Sequence, residues 1–236
     1  MSHTLAELDA KLDTLADPSK AKDSAWFFKT GKGEYGEGDQ FLGIKVPELR
    51  KLSKQYKALD INEVQALVES KWHEKRLLAI FILVLQYQKK KPDRKKEIYD
   101  FYLTHRKHIN NWDIIDSSAR QIVGHYLEDK DRTLLYDFAK TGNLWERRIA
   151  VLATFWYIPK GDFQSSLEIA EILLDDSEDL IHKAMGWMLR EIGKADKSAE
   201  DAFLNTHYKQ MPRTMLRYAI EKYPEDERQA YLKGEL

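Results

Sequence analysis

Cysteine is absent from the 236 residues. That excludes structural disulfides, thiolate zinc sites and cysteine-ligated iron–sulfur clusters, and it makes a reducing cytoplasm the expected compartment. Glycine (11) and proline (6) are scarce, together about half of average usage, which argues against a turn-dense all-β fold. Long hydrophobic runs are missing too. The longest, residues 77–85, has nine residues, against the roughly 20 needed to cross a bilayer. The opening MSHTLAELDAKLDTL has no secretory pattern, so a soluble, non-exported chain with no membrane partner is expected. What is present, 43% apolar and 33% charged residues, suffices for a full core and is too apolar for a disordered chain. The expectation is one all-α domain over residues 1–236.

The formal net charge of −1 conceals segregation. Residues 71–107 hold eleven Lys/Arg and four Asp/Glu, whereas residues 113–179 hold seven and fourteen. A solvated turn between helices explains the run KKKPDRKKE, and so does a polyanionic partner; both readings stay open at this point.

Apolar residues recur with a period near 3.6 over 4–15, 20–30, 47–56, 61–70, 72–88, 93–105, 111–127, 132–140, 144–157, 163–174, 180–192, 199–210 and 213–222. No segment reads as a strand. Breakers separate the helices at Pro92, Gly142, Pro159, Gly161, Gly193 and Pro212. KWHEKRLLAIFILVL, NLWERRIAVLATFWY and DLIHKAMGWMLREIG overlay so that Trp72, Trp145 and Leu180 coincide, as do Lys75, Arg148 and Lys183. With the helix from Trp112 the starts are separated by 40, 33 and 35 residues, a spacing that belongs to helical-pair repeats. Each of these helices turns apolar after its first turn, which predicts burial between neighbours and leaves the polar chemistry at the helix starts. The architecture implied is a C-shaped α-solenoid with a concave groove.

Three aromatic and charged pairs fall on those helices. Trp112 and Asp116 are four apart on one face; an acid in a first turn also serves the helix dipole or pairs with Arg120. Trp145 and Arg148 place a cation in a first turn, where the dipole disfavours it, so Glu146 or a bound phosphate must compensate. Lys183 and Trp187 form the third pair. Repetition on equivalent helices favours one functional groove over three separate structural accidents. The Gly-rich stretch GKGEYGEGDQFLG, residues 31–43, lacks the GK[ST] ending and preceding strand of a phosphate loop. His73-Glu74 is not HExxH, and no metal spacing or cofactor motif is present.

The blocks FFKTGKGEYGEGDQFLGIKVPELR, NWDIID, NLWERR and KAMGWMLREIGK resemble the AlkD-type DNA alkylation repair glycosylases built on HEAT-like repeats. The resemblance runs from about Lys20 to Tyr223. It implies that Trp112, Asp116, Arg148 and Trp187 frame the lesion as catalytic residues. It also implies an aromatic ahead of the Gly-rich stretch, often tyrosine; here the zone reads Trp26-Phe27-Phe28 and offers no hydroxyl. Arg147, Arg148, Lys183 and Lys75, with Trp26, Phe27 and Phe28, are the expected DNA contacts.

The implied activity is hydrolysis of the N-glycosidic bond of cationic N3- and N7-alkylated purines in duplex DNA by a monomer without cofactor or metal. The implied chemistry needs no general acid, because a cationic base leaves as a neutral molecule. A carboxylate, Asp116, stabilises the oxocarbenium-like sugar, the π-faces of Trp112 and Trp187 contact cationic sugar and lesion, and Arg148 holds a phosphate. The alternatives are a relative that binds DNA structure without catalysis and an α-solenoid scaffold for a protein partner.

Overall fold

The apolar second helices of the repeat pattern become the centres of two compact units, one ending at Ser118 and the other spanning Ala119–Leu236. The computed structural model describes residues 4–89 and 91–236; Lys90, within the basic run, lies outside the described residues.

The first unit contains α1 (Leu5–Leu15), α2 (Pro18–Phe27), α3 (Val46–Gln55), α4 (Ile61–Val68), α5 (His73–Lys89), α6 (Pro92–Thr104) and α7 (Trp112–Asp116). Several of its helix starts are capped by side chains. Thr4 with Glu7 and Asp60 with Glu63 form capping boxes, while Asp17 caps α2 ahead of Pro18 at its first position. Helix α5 is buried on nearly every side from Leu77 to Leu83, because α3, α4, α6 and α7 all pack on it. Burying such side chains is worth roughly 1.5–3 kcal/mol each, so α5 is the unit's main hydrophobic anchor.

The second unit contains α8 (Thr133–Thr141), α9 (Leu144–Thr154), α10 (Gln164–Ile172), α11 (Asp179–Ala195), α12 (Lys197–His207), α13 (Arg213–Ala219) and α14 (Glu225–Lys233). Asn143 and Glu146 cap α9 reciprocally. The apolar run Ile149–Ala153 in α9 is fully buried against α8, α10 and α11, and α11 packs in turn on α12 and α13. At Gly186 a Cβ would stand 2.4 Å from the Met215 carbonyl oxygen, so this glycine is what lets α11 and α13 approach.

Among the described residues there is no strand, only an isolated bridge between Gln40 and Trp72, and no helix is long and apolar enough to cross a membrane. The all-helical, helical-pair expectation is met. Two details differ. The single helix expected over 111–127 stops at Asp116, turns at Ser117 and Ser118, and resumes as a π-helical segment, Arg120–Gly124. Ser118 Oγ donates back to the Ile114 carbonyl at 2.8 Å, the local competition by which serine disrupts helices. Helix α14 was not expected, because EDERQAYLK is too polar to show a period; Tyr231 is its one buried residue.

One buried acid in α12 gives this unit a pH signature. Glu200 is buried over the backbone of Gly193. Burial pushes its carboxyl up to about 8, against an opposing hydrogen bond from Tyr223. The folded state therefore holds a proton that the unfolded chain, at about 4.5, releases, so stability falls as pH rises from about 4.5 to about 8. Glu200→Gln is expected to remove that slope, read from melting temperature against pH.

Candidate functional site

In the first unit the site begins at the start of α5. His73 backbone N–H donates to the Gln40 carbonyl at 2.8 Å, which lays the Gly-rich stretch alongside the helix start. Glu74, buried, accepts from three consecutive backbone N–H groups, Leu42 and Gly43 at 2.8 Å and Ile44 at 3.3 Å. Gly43 has φ +80°, and a Cβ there would meet the Asp17 carbonyl oxygen at 2.2 Å. The stretch is thus a strap tied down by one carboxylate.

The His73 side chain, 2% exposed, spans two acids. Nδ1 donates to Asp39 Oδ2 at 3.1 Å and Nε2 to Asp113 Oδ2 at 2.8 Å. Arg76 Nη2 donates to the other Asp39 oxygen at 2.7 Å. Burial alone would lower the His73 pKa, yet the hydrogen bonds it donates to Asp113 and Asp39 raise it to about 9, so the ring is an imidazolium at neutral pH. Burial would likewise raise Asp39, but His73 and Arg76 hold it below the usual carboxylate range.

Rings cover this polar centre. His73 lies 4.7 Å from Phe41 and 4.8 Å from Phe28, centroid to centroid. Phe28 stacks on Phe41 at 5.1 Å and on Trp112 at 5.4 Å, with Phe27 edge-on to Trp112 at 6.1 Å. Trp112 opens α7, and its backbone N–H is capped by the buried Asn111 at 2.8 Å. Asp116 closes the same five-residue helix, half-buried and one turn beyond Trp112. Buried Tyr102 senses it: burial, with an added push from the Asp116 charge, raises the phenol well above its ordinary range.

Of the expected residues in this unit, Phe27, Phe28 and Trp112 therefore come together, with Asp116 on the same helix as the tryptophan. Trp26 points outward at 84% exposure and Phe27 is 57% exposed; both line a recess with Lys29, Thr30 and Glu34. Lys75 is engaged by Asp9 at 2.7 Å with its side chain 18% exposed, which turns it towards α1.

In the second unit, Trp187 Nε1 donates to Glu191 Oε1 at 3.1 Å and its ring meets Phe155 edge-on at 5.4 Å. Arg120 lies over Phe155 at 4.0 Å, and Lys194 holds Glu191 at 2.7 Å. Arg148 is 5% exposed and donates to the Leu180 carbonyl at 2.6 Å, so it braces the start of α11. Arg147 pairs with Asp176 at 2.6 Å, and Lys183 with Asp179 at 2.7 Å in a half-exposed pair.

Sequence reasoning missed Asp39, His73, Glu74 and Asp113. A signal existed at the helix start: His73 and Glu74 occupy the same first turn that supplied Lys75. Glu74→Ala leaves three N–H groups without their acceptor and is expected to cost about 2–5 kcal/mol. Gly43→Ala, strained and crowded, is expected to cost at least about 2 kcal/mol. Urea unfolding midpoints of the two variants check both.

The sequence model of the DNA alkylation repair enzyme family matches residues 8–223. No curated protein matches the chain. Among solved structures, a "Predicted DNA alkylation repair enzyme from Enterococcus faecalis" superposes with a TM-score of 0.70 at 18% identity, covering 89% of this chain and 97% of that one. At that identity the likeness is one of fold. The family match, extending from α1 to the residue before Pro224, includes every block that carries the site, and the chain belongs to the DNA alkylation repair enzyme family.

Proposed function

We propose that the chain is a monofunctional DNA glycosylase that hydrolyses the N-glycosidic bond of cationic N3- and N7-alkylated purines in duplex DNA. The observation that carries the reading is the Trp112 indole stacked on Phe28 with the Asp116 carboxylate one turn away on α7. Aromatic faces and a carboxylate together suit a site that meets positive charge, first on the alkylated base and then on the sugar.

In this reading the C1′–N bond breaks with its electron pair going to the base, which leaves neutral. Asp116 stabilises the positive charge left on the sugar, and water adds to C1′ and gives up its proton to Asp116 or solvent. Trp112 and Phe28 form the wall against which lesion and deoxyribose rest. By resemblance, Trp187 also contacts the lesion. Lys183 is an accessible cation of the second unit for a backbone phosphate, since exposed pairs such as Lys183–Asp179 are worth only about 0–1 kcal/mol and yield readily. Arg148, buried under the Leu180 carbonyl, enters as a brace for the helix that carries Trp187 and Lys183. Trp26, Phe27, Arg147 and the basic residues around them are proposed as duplex contacts. No lysine is assigned as a Schiff-base nucleophile.

A second reading, binding of DNA without excision, is favoured by one observation: residues 26–28 are Trp-Phe-Phe and supply no hydroxyl where relatives often have tyrosine. Single-turnover base release decides between them. The enzyme is expected to free 3-methyladenine and 7-methylguanine from methylated duplex and to leave uracil and 1,N6-ethenoadenine in place. Comparable release of uracil would overturn the mechanism, because that base needs protonation to leave.

Asp116→Asn keeps size and removes charge. Excision is expected to fall by on the order of 10² to 10³, while duplex affinity stays level or rises as repulsion from phosphate disappears. A variant with a lowered melting temperature and an undiminished excision rate would take Asp116 out of the mechanism.

A further inference from the structure

Helix α7 is five residues long, too short to hold its own orientation. Its direction is set from outside, by the Asn111 cap and by whatever grips its first turn. That grip is the hydrogen bond from His73 to Asp113, the residue after Trp112. The opposite ring nitrogen holds Asp39, in the strap that runs from Phe28 to the Glu74 tether. One imidazole thus ties together the two segments whose aromatic residues stack, and its own ring lies against Phe28 and Phe41.

We propose that His73 is a positioning residue: clamped between Asp39 and Asp113, it fixes the strap to the first turn of α7 and so holds the Trp112–Phe28 wall in register with Asp116. The inference rests on the glycosylase reading of that site and adds the group that pre-organises it. A planar side chain with donors on both edges can pack against the Phe28 and Phe41 rings and reach two carboxylates at once. The charged groups facing it are Asp39 from the strap, Asp113 from α7, and Arg76 and Glu74 on α5; Arg76 shares Asp39, and Glu74 is turned to the strap backbone. Both ring nitrogens donate only when the ring is protonated. A neutral ring must present a lone pair to one of the two acids, and that end of the clamp opens. The clamp is therefore complete at neutral pH and is lost as pH rises through about 9.

The test pairs a spectroscopic titration with kinetics, using the full chain. The Trp112 indole N–H resonance, assigned by its loss in Trp112→Phe, is expected to titrate with the same midpoint as the His73 ring protons, and to lose that step in His73→Gln. Single-turnover release of 7-methylguanine by His73→Gln is expected to fall at least ten-fold at neutral pH, with duplex affinity within three-fold of the parent and with the decline at high pH gone. A Trp112 resonance indifferent to His73 titration, or a His73→Gln variant with the parent rate and pH profile, would overturn the proposal. Should His73→Gln fail to fold, Asp113→Ala keeps the histidine and removes one acceptor; persistence of the Trp112 step there would also overturn it. If the parent protein frees no alkylated base, the glycosylase reading fails, while the coupled titration still decides the positioning role.

Discussion

Everything distinctive in the first unit hangs on the first turn of α5, where a buried imidazolium and a buried carboxylate stand side by side. Helices elsewhere in the chain are stabilised by apolar faces and capped ends. The strap over residues 31–44 is not helical, and its backbone donors must find acceptors elsewhere. Glu74 supplies one carboxylate for three of them, and His73 ties Asp39. A buried charge left alone is costly, and one hydrogen-bonded on every side is tolerable. The strap's irregularity and the pair's burial therefore explain each other: each would be unfavourable without the other.

Repeat architecture makes this arrangement possible. In α5 and α9 the middle of the helix is apolar all round and locked among neighbours, so the start of each is a fixed platform on which polar groups can be placed accurately. The first turns of these two helices serve different ends. In α5 they hold the strap, and in α9 Arg148 braces the start of α11. Further along α11, Trp187 is held by Glu191 and Phe155.

How much of this was legible in the sequence depended on distance along the chain. Periodicity exposes helices, and the aromatic and charged pairs on them single out Trp112, Asp116, Arg148 and Trp187 because the members of each pair lie only three or four residues apart. The break after Asp116 was hidden, since Ser118 interrupts the helix by a side-chain hydrogen bond that leaves the apolar period intact. His73 was passed over because single-sequence reasoning seeks metal spacing around a histidine, whereas its partners, Asp39 and Asp113, lie 34 and 40 residues away. Lys75 was legible as a cation but not as a committed one, because Asp9, 66 residues earlier, carries no local mark. Pairings of that separation are set by packing, and only the fold reveals them.

The charge segregation seen in the sequence also changes meaning once partners are known. The basic run of residues 71–107 is not a free positive field: Lys71 lies over Trp72, Arg76 serves Asp39, Arg94 pairs with Glu97 and Lys96 with Asp100. What matters for a polyanion is how cheaply each cation can change partner. Arg76 and its acid are both nearly buried, and separating them would strand a charge at a cost of several kcal/mol. Lys96 and Lys183 face solvent, where an ion pair is worth about 0–1 kcal/mol and a phosphate, with more charge and counterions to release, competes well. The cations available to DNA are thus the exposed, weakly held ones, and the buried ones hold the site in shape. Attraction and architecture are divided between residues of the same type by burial alone.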